Sequence, residues 1–303
     1  MPIGVAKRAL RLSGDGMMNH KTHSRHGGSA FEIRALVISM NRYLAIYRLT
    51  FRNSLIREMN FKANFLLWMI VESCWFLGQM AFIEVMYGHV TEIAGWTKWQ
   101  LVCLVGTHQI ISQVFQGFFY INLANLPELI RTGRLDILLA LPVDAQFAVS
   151  TRQVSFDSFV NTLVGIGIVA FSLVKLGIVP EVWQVVVFAF AILLGVAVHY
   201  AVMFSLAAVS FWMIRGQALV HGYFNLFHIG RYPDAVFRGA FRFIFTWIMP
   251  IILVSNVPAK LLARPFESPW VGLATLVAAT VIVLAGTRVW WLFALRRYGS
   301  ASS

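Results

Sequence analysis

The chain has 303 residues, 58% of them apolar and only 13% charged, with a formal net charge of +12. A soluble domain carries roughly 25% charged residues to cover its surface, so this composition excludes an ordinary soluble protein and points to lipid as the solvent. The basic residues fall between apolar runs and are not gathered on one soluble face, so they report orientation against anionic headgroups and not nucleic-acid binding.

Residues 1–39 are polar, contain Gly and His, and show no sustained period; a disordered tail is expected. They lack the basic, apolar and small-residue pattern of a secretory signal, which leaves insertion to the spans themselves. His20, His23 and His26 are spaced by three, but Gly27 and Gly28 adjoin them and no acidic partner is close, which speaks against a metal site. Met40 begins the patterned part and is a candidate native start. Residues 41–62 set Leu44, Tyr47, Phe51, Leu55 and Ile56 at helical spacing among Arg42, Arg48, Arg52 and Arg57. This predicts a basic amphipathic helix in the headgroup layer, either a plain anchor or a mechanical part.

A membrane-crossing helix needs about 20 mainly apolar residues. Six stretches qualify, at about 63–87, 99–122, 156–176, 183–214, 243–257 and 269–295, the fifth short and broken by Pro250. The expected fold is therefore an all-α integral membrane protein with six transmembrane helices. With the N-terminus inside, the inner segments hold 21 Lys and Arg, among them Arg231 and Arg288. The outer segments hold only Lys98, Lys175, Lys260 and Arg264. This asymmetry places both termini in the cytoplasm. Trp96, Trp99, Trp183, Trp270, Trp290 and Trp291 near span ends fit an aromatic belt. Cys74 and Cys103 lie inside apolar runs and offer neither a disulfide framework nor metal-ligand spacing.

Ionisable groups in hydrocarbon are costly and are functional candidates by default. Glu72, His108 and His199 fall near mid-membrane of the first, second and fourth spans. Glu84, Asp157 and Arg288 lie close enough to span ends to snorkel. Gln109, Gln113 and Gln116 form a stripe on the second span that must face another helix or a wet cavity, since an unpaired amide in hydrocarbon costs several kcal/mol. Packing and substrate lining are both open for these groups. No nucleophile elbow or metal spacing is present, so no catalytic or metal site is expected.

Between the second and third spans lies LANLPELIRTGRLDILLALPVDAQ, residues 123–146. Pro127 can open a short helix with Glu128 in its first turn, Gly133 suits its stop, and Leu135 to Leu139 form an apolar block that Pro142 ends. The product is a small folded element with Arg131, Arg134 and Asp136 able to face water or a partner; spacing alone does not choose between these.

The run from Glu128 to Leu139 followed by Pro142 resembles the first cytoplasmic loop of type-2 ABC transporter permeases, more narrowly a small six-span branch long catalogued as a domain of unknown function. RYLAIYRLTFRNSLIREMNFKANFLL, from Arg42, and GRYPDAVFRGAFRFIFTWIMPIILVSNVPAKLL at 230–262 are similar to that branch too. The resemblance covers residues 40–298, leaving 299–303 as a short C-terminal tail. It implies a permease in the bacterial cytoplasmic membrane, paired with a second permease copy and with a cytoplasmic ABC ATPase dimer that binds the ATP and Mg. It also implies that Glu128, Arg131, Gly133, Arg134, Leu135 and Asp136 form the coupling helix, that 41–62 is a connecting helix, and that 256–268 is a re-entrant or surface helix. Glu72, His108, Gln109, Gln113, Gln116 and His199 would then be candidates for the substrate path. No Gly-Lys dipeptide exists in the chain, so it has no phosphate-cradling loop and no cofactor of its own, and is not expected to be an enzyme. The EAA-containing loop typical of importer permeases is also missing, which favours export. The alternative is a proton-coupled secondary transporter using Glu72 and the intramembrane histidines.

Overall fold

A computed structural model describes residues 43–57, 62–213, 216–264 and 269–299. The expected tail and the candidate start at Met40 lie outside the described residues, as do the three N-terminal histidines. The described part is α-helical apart from one small hairpin, as expected.

Helix α1 is described over 43–57; from Tyr47 onward it belongs to the unit formed by Tyr47–Ser303. Residues 58–61, inside the predicted amphipathic stretch, are outside the described residues. Its Phe51 ring meets Phe156 edge-on at 4.8 Å. Ser54 Oγ accepts from the Val154 amide at 3.1 Å, and Arg57 donates to Gln153 Oε1 at 2.7 Å. The helix is thus tied to the segment that opens the third span, while Leu44, Leu49, Leu55 and Ile56 stay exposed.

Helix α2 covers Lys62–Tyr87. A two-residue hairpin, β1 Glu92–Ile93 and β2 Trp96–Thr97, returns the chain, with Ala94 and Gly95 both at positive φ in its turn. Trp96 is fully buried there, its backbone carbonyl accepting from the Tyr87 hydroxyl at 2.8 Å. Helix α3, Lys98–Phe115, is opened by Gln100 accepting from the Thr97 amide. It continues through a π-helical turn, Gln116–Tyr120, into Ile121–Ala124. The Gly117 carbonyl in that wide turn accepts from the Ser155 amide at 2.9 Å. Three short helices follow, α4 Leu126–Arg131, α5 Leu135–Leu139 and α6 Ala145–Ser150.

Helix α7, Asp157–Leu176, packs tightly on α3 because glycines face each other's helix. A Cβ at Gly106 would meet Ile168 and Val169 at 3.0 Å, and one at Gly165 would meet Ile110 at 2.9 Å. Close backbone approach through small residues is how helices pack where lipid removes the hydrophobic incentive. Helix α8, Val182–Ala208, is the most apolar and holds the centre, with Ala191, Ala201, Met203, Phe204 and Ala207 fully buried.

The fifth predicted span differs from expectation. Helix α9, Gly216–Phe227, ends in a 3₁₀ turn, His228–Arg231. Helix α10, Gly239–Phe243, runs on through a π turn to Ile248, and helix α11, Ile251–Ala263, follows after a bend of 83°. The predicted span 243–257 is therefore not one straight helix. Pro250 has no amide hydrogen to extend the first arm, so the chain turns there. The segment 256–268, predicted as a re-entrant or surface helix, is as far as Ala263 the buried second half of α11, which rules out a surface helix there, while the bent pair it belongs to fits a broken span or a re-entrant loop.

Helices α9 and α11 divide the length of α3 between them. Tyr120 lies against Phe224 at 4.4 Å, His108 stacks on Phe227 at 4.8 Å, Ser255 bonds His108, and Gln100 Nε2 donates to Ala263 O at 3.5 Å. The two meet at Gly230, where a Cβ would stand 3.1 Å from the Ile251 carbonyl.

Helix α12, Pro269–Arg297, closes the bundle against α8, with Trp291 buried against Phe204. Among the described residues, four helices are long and apolar enough to cross a membrane: Met69–Tyr87, Asp157–Leu176, Val182–Phe211 and Trp270–Arg297. The bent pair would add a fifth. The predicted second span, 99–122, is helical but falls short on hydropathy, because Thr107, His108, Gln109, Ser112, Gln113 and Gln116 dilute its apolar content.

Candidate functional site

The loop 125–139 is built rather than slack. Pro127 opens α4, whose Leu126, Pro127, Leu129 and Ile130 are buried against the ends of α8 and α9. Gly133 adopts φ 70°, the left-handed conformation that ends the helix and redirects the chain into α5. Leu135 is fully buried and anchors that second helix. What remains outward is Arg131, Thr132, Arg134 and the large apolar side chain of Ile137, 69% exposed. Arg131 grips Glu128 with two hydrogen bonds, Nε to Oε2 at 3.0 Å and Nη2 to Oε1 at 2.8 Å. Those bonds hold the Glu128 carboxyl below its usual range and raise the Arg131 guanidinium. Asp136 is half-buried and lies close enough to Tyr298 for its charge to raise that phenol, already raised by burial.

The loop is also fastened to the last helix. Arg288 Nη2 donates to Asp144 Oδ2 at 2.6 Å and Nη1 to Oδ1 at 3.1 Å, with a further bond to Gln146 Oε1 at 3.0 Å. Asp144 in turn caps α6, accepting from the Phe147 amide at 3.1 Å. Burial works to raise its carboxyl, but the Arg288 bonds and backbone amides outweigh this and hold it below the usual value. Arg288, expected to snorkel, reaches Asp144 and Gln146 and acts as a clamp.

The groups predicted near mid-membrane do not share one hydrogen-bonded site, although His108 and His199 both pack on Phe227. His108 and His199 are both buried, but their ring nitrogens turn to different partners: His108 Nδ1 to Ser255 Oγ at 3.0 Å, His199 Nδ1 to Tyr223 OH at 3.1 Å. His199 is wedged between Phe115 at 3.8 Å and Phe227 at 3.6 Å. Half-buried Glu72 accepts from Gln113 Nε2 at 3.4 Å, and Gln116 donates to Ser112 at 3.3 Å. Gln109 is half-buried on the same helix. Of the stripe, Gln113 thus faces α2, while Gln116 bonds within its own helical run. Glu84, expected to snorkel, pairs with Lys98 across the hairpin.

Sequence reasoning missed Arg231, which it placed in a cytoplasmic segment. The guanidinium is carried into the bundle by the 3₁₀ turn, where Nη1 donates to Gln79 Oε1 of α2 at 2.9 Å and Nη2 meets His228 Nδ1 at 2.6 Å. Asp234, three residues on, pairs with Lys260 at 2.9 Å, although the charge count puts the neighbouring Arg231 inside and Lys260 outside. Asn256 stitches the same segment down, accepting from the Asp234 amide and donating to the Tyr232 carbonyl. The Tyr232–Pro233–Asp234 run was the available signal: a proline beside a polar pair in an apolar region marks backbone that leaves the helix. A cavity of about 530 Å³ lies here, between α2, α3 and residues 231–236.

No curated protein and no solved structure matches the chain. The family described as ABC-2 family transporter protein matches residues 74–302, which include the loop, the polar groups from His108 onward, Arg231 and the cavity. Spanning most of the length, this match shows that the chain belongs to the ABC-2 family of transporter proteins, multi-pass membrane permeases that work with an ABC ATPase.

Proposed function

We propose that the chain is the permease subunit of an ATP-driven exporter, paired with a second permease copy and driven by a cytoplasmic ATPase. The observation that carries this reading is the loop 125–139: a rigid, glycine-turned element rooted by Leu126, Leu129, Ile130 and Leu135, with Arg131, Arg134 and Ile137 left for a partner. An element rooted in this way transmits a push, where a free linker would absorb it. Its clamp to α12 through Asp144 and Arg288 links that push to the last helix. In this reading the bent pair of α10 and α11 is one crossing, which with α2, α3, α7, α8 and α12 makes six. Both termini then lie in the cytoplasm of a bacterial cell, and ATP and Mg are held by the partner.

The proton-coupled alternative would need Glu72 and the histidines to share a relay. Each makes its hydrogen bond to a different group, Gln113, Ser255 and Tyr223, so among the described residues no hydrogen bond joins them directly into a relay. The test is co-purification. The native complex should carry a separate ATPase whose retention is lost in Ile137→Asp, while the permease itself elutes unchanged. Complexes that never contain an ATPase would overturn the proposal.

A further inference from the structure

The cavity beside α2 is apolar along most of its wall, with Gly78, Phe82, Leu101 and Val105 among its lining residues, and Arg231 is the single charged one. Among the described residues, no carboxylate comes within ion-pairing distance of that guanidinium. Glu72 acts on it through space but spends its hydrogen bond on Gln113 and does not line the cavity. Arg231 has five N–H donors; one goes to Gln79 and one to His228, while Nε is shielded from solvent and has no partner. A guanidinium half-withdrawn from water with no carboxylate bonded to it is costly, and a site containing one favours whatever brings the opposite sign.

We propose that this cavity is a binding site for an anionic amphiphile, with a carboxylate or phosphate head at Arg231 and Gln79 and an apolar body along Phe82, Leu101 and Val105. The volume lies within the roughly 300–1,000 Å³ usual for small-ligand sites, and a few polar groups in an apolar wall are their usual make-up. A cation is disfavoured by the same arginine. Every lining residue comes from this chain, so the site goes beyond the transport reading and can fail without it. The anion could come from the bilayer, as a phospholipid, or from solution, as a free amphiphile.

Cys74 lines the cavity and is exposed, whereas Cys103 is buried, so the protein carries its own reporter. The full chain in phosphatidylcholine nanodiscs is labelled with N-ethylmaleimide. Laurate is expected to slow Cys74 labelling saturably, and dodecyltrimethylammonium is not. Replacing the guanidinium in Arg231→Gln should weaken laurate protection about tenfold or more, and Arg231→Lys should retain much of it. Gly78→Leu guards against a folding artefact: a Cβ there meets nothing within 4 Å, so the variant folds, yet its side chain fills the cavity and lowers bound radiolabelled laurate. If phosphatidylglycerol in the disc protects Cys74 and laurate adds nothing, the site holds a bilayer lipid. If laurate protects equally in both discs, the ligand is a free amphiphile. Equal protection by anion and cation, or full protection in a folded Arg231→Gln variant, overturns the proposal. Protection that follows the number of permease copies per disc and ignores the amphiphile also overturns it.

Discussion

Arg288 sits where hydropathy predicts a guanidinium reaching for the interface, yet its forked donors close on Asp144 and Gln146. The paired side chains are 43% and 36% exposed, so solvent discounts the pair to about 1 kcal/mol or less. Arg288→Gln should lower the unfolding temperature of the detergent-solubilised chain by about 2 °C, read by nano-calorimetry or tryptophan fluorescence. Because the folded Asp144 pKa is depressed, its contribution is complete above the ordinary value of 3.8 and is lost as pH falls below it. The stability gap between the wild type and Asp144→Asn should therefore close on moving from about pH 5 to about pH 3; a gap that grows on acidification would contradict the clamp. His199 poses a different question. It is fully buried and bonds Tyr223, so His199→Phe strands a hydroxyl in the core at roughly 1–3 kcal/mol. A packing role predicts lower thermal stability with transport per folded molecule unchanged. Lost transport at unchanged stability would make His199 a path residue after all.

Helix pairing in this bundle depends on where glycine permits contact. Gly165 faces Ile110 of α3, while Gly167, two residues along α7, faces open space. Gly165→Leu should push α7 off α3 and abolish a monodisperse peak in size-exclusion chromatography, whereas Gly167→Leu should elute as wild type. Gly133 is special for its backbone. At φ 70° an alanine costs roughly 1–2 kcal/mol. That is tolerable in a multi-pass protein but large for a short element, so Gly133→Ala should weaken ATPase retention in pull-down more than it lowers the unfolding temperature. Such elements were partly legible in the sequence. Pro127, Glu128 and Gly133 announced a helix, a stop and a turn, because capping and glycine conformation are local physics. The bend at Pro250 was visible as a break, but not its angle of 83°, which depends on what the two arms pack against.

For the transporter as a whole, the coupling reading makes movement of solute depend on nucleotide held elsewhere. Reconstituted complexes should stop transporting when ATP is removed, and Glu72→Gln should leave that dependence intact; transport that survives ATP depletion but fails in Glu72→Gln would favour the proton-driven alternative. Composition, apolar runs and the arrangement of motifs were enough to read a multi-pass, all-α permease, since burial in lipid writes itself into every span and needs no knowledge of neighbours. Contacts between distant segments were another matter. Nothing local distinguishes an arginine in a cytoplasmic loop from one drawn back into the bundle. Arg231 reaches Gln79, and Asp234 reaches Lys260, only because the chain leaves its helix at the His228–Arg231 turn and enters α11 again at Ile251. The sequence by itself determined the solvent, the helical class and the family. Only the tertiary structure decided which polar groups meet, because a buried charge takes its partner from whichever helix packing brings within reach.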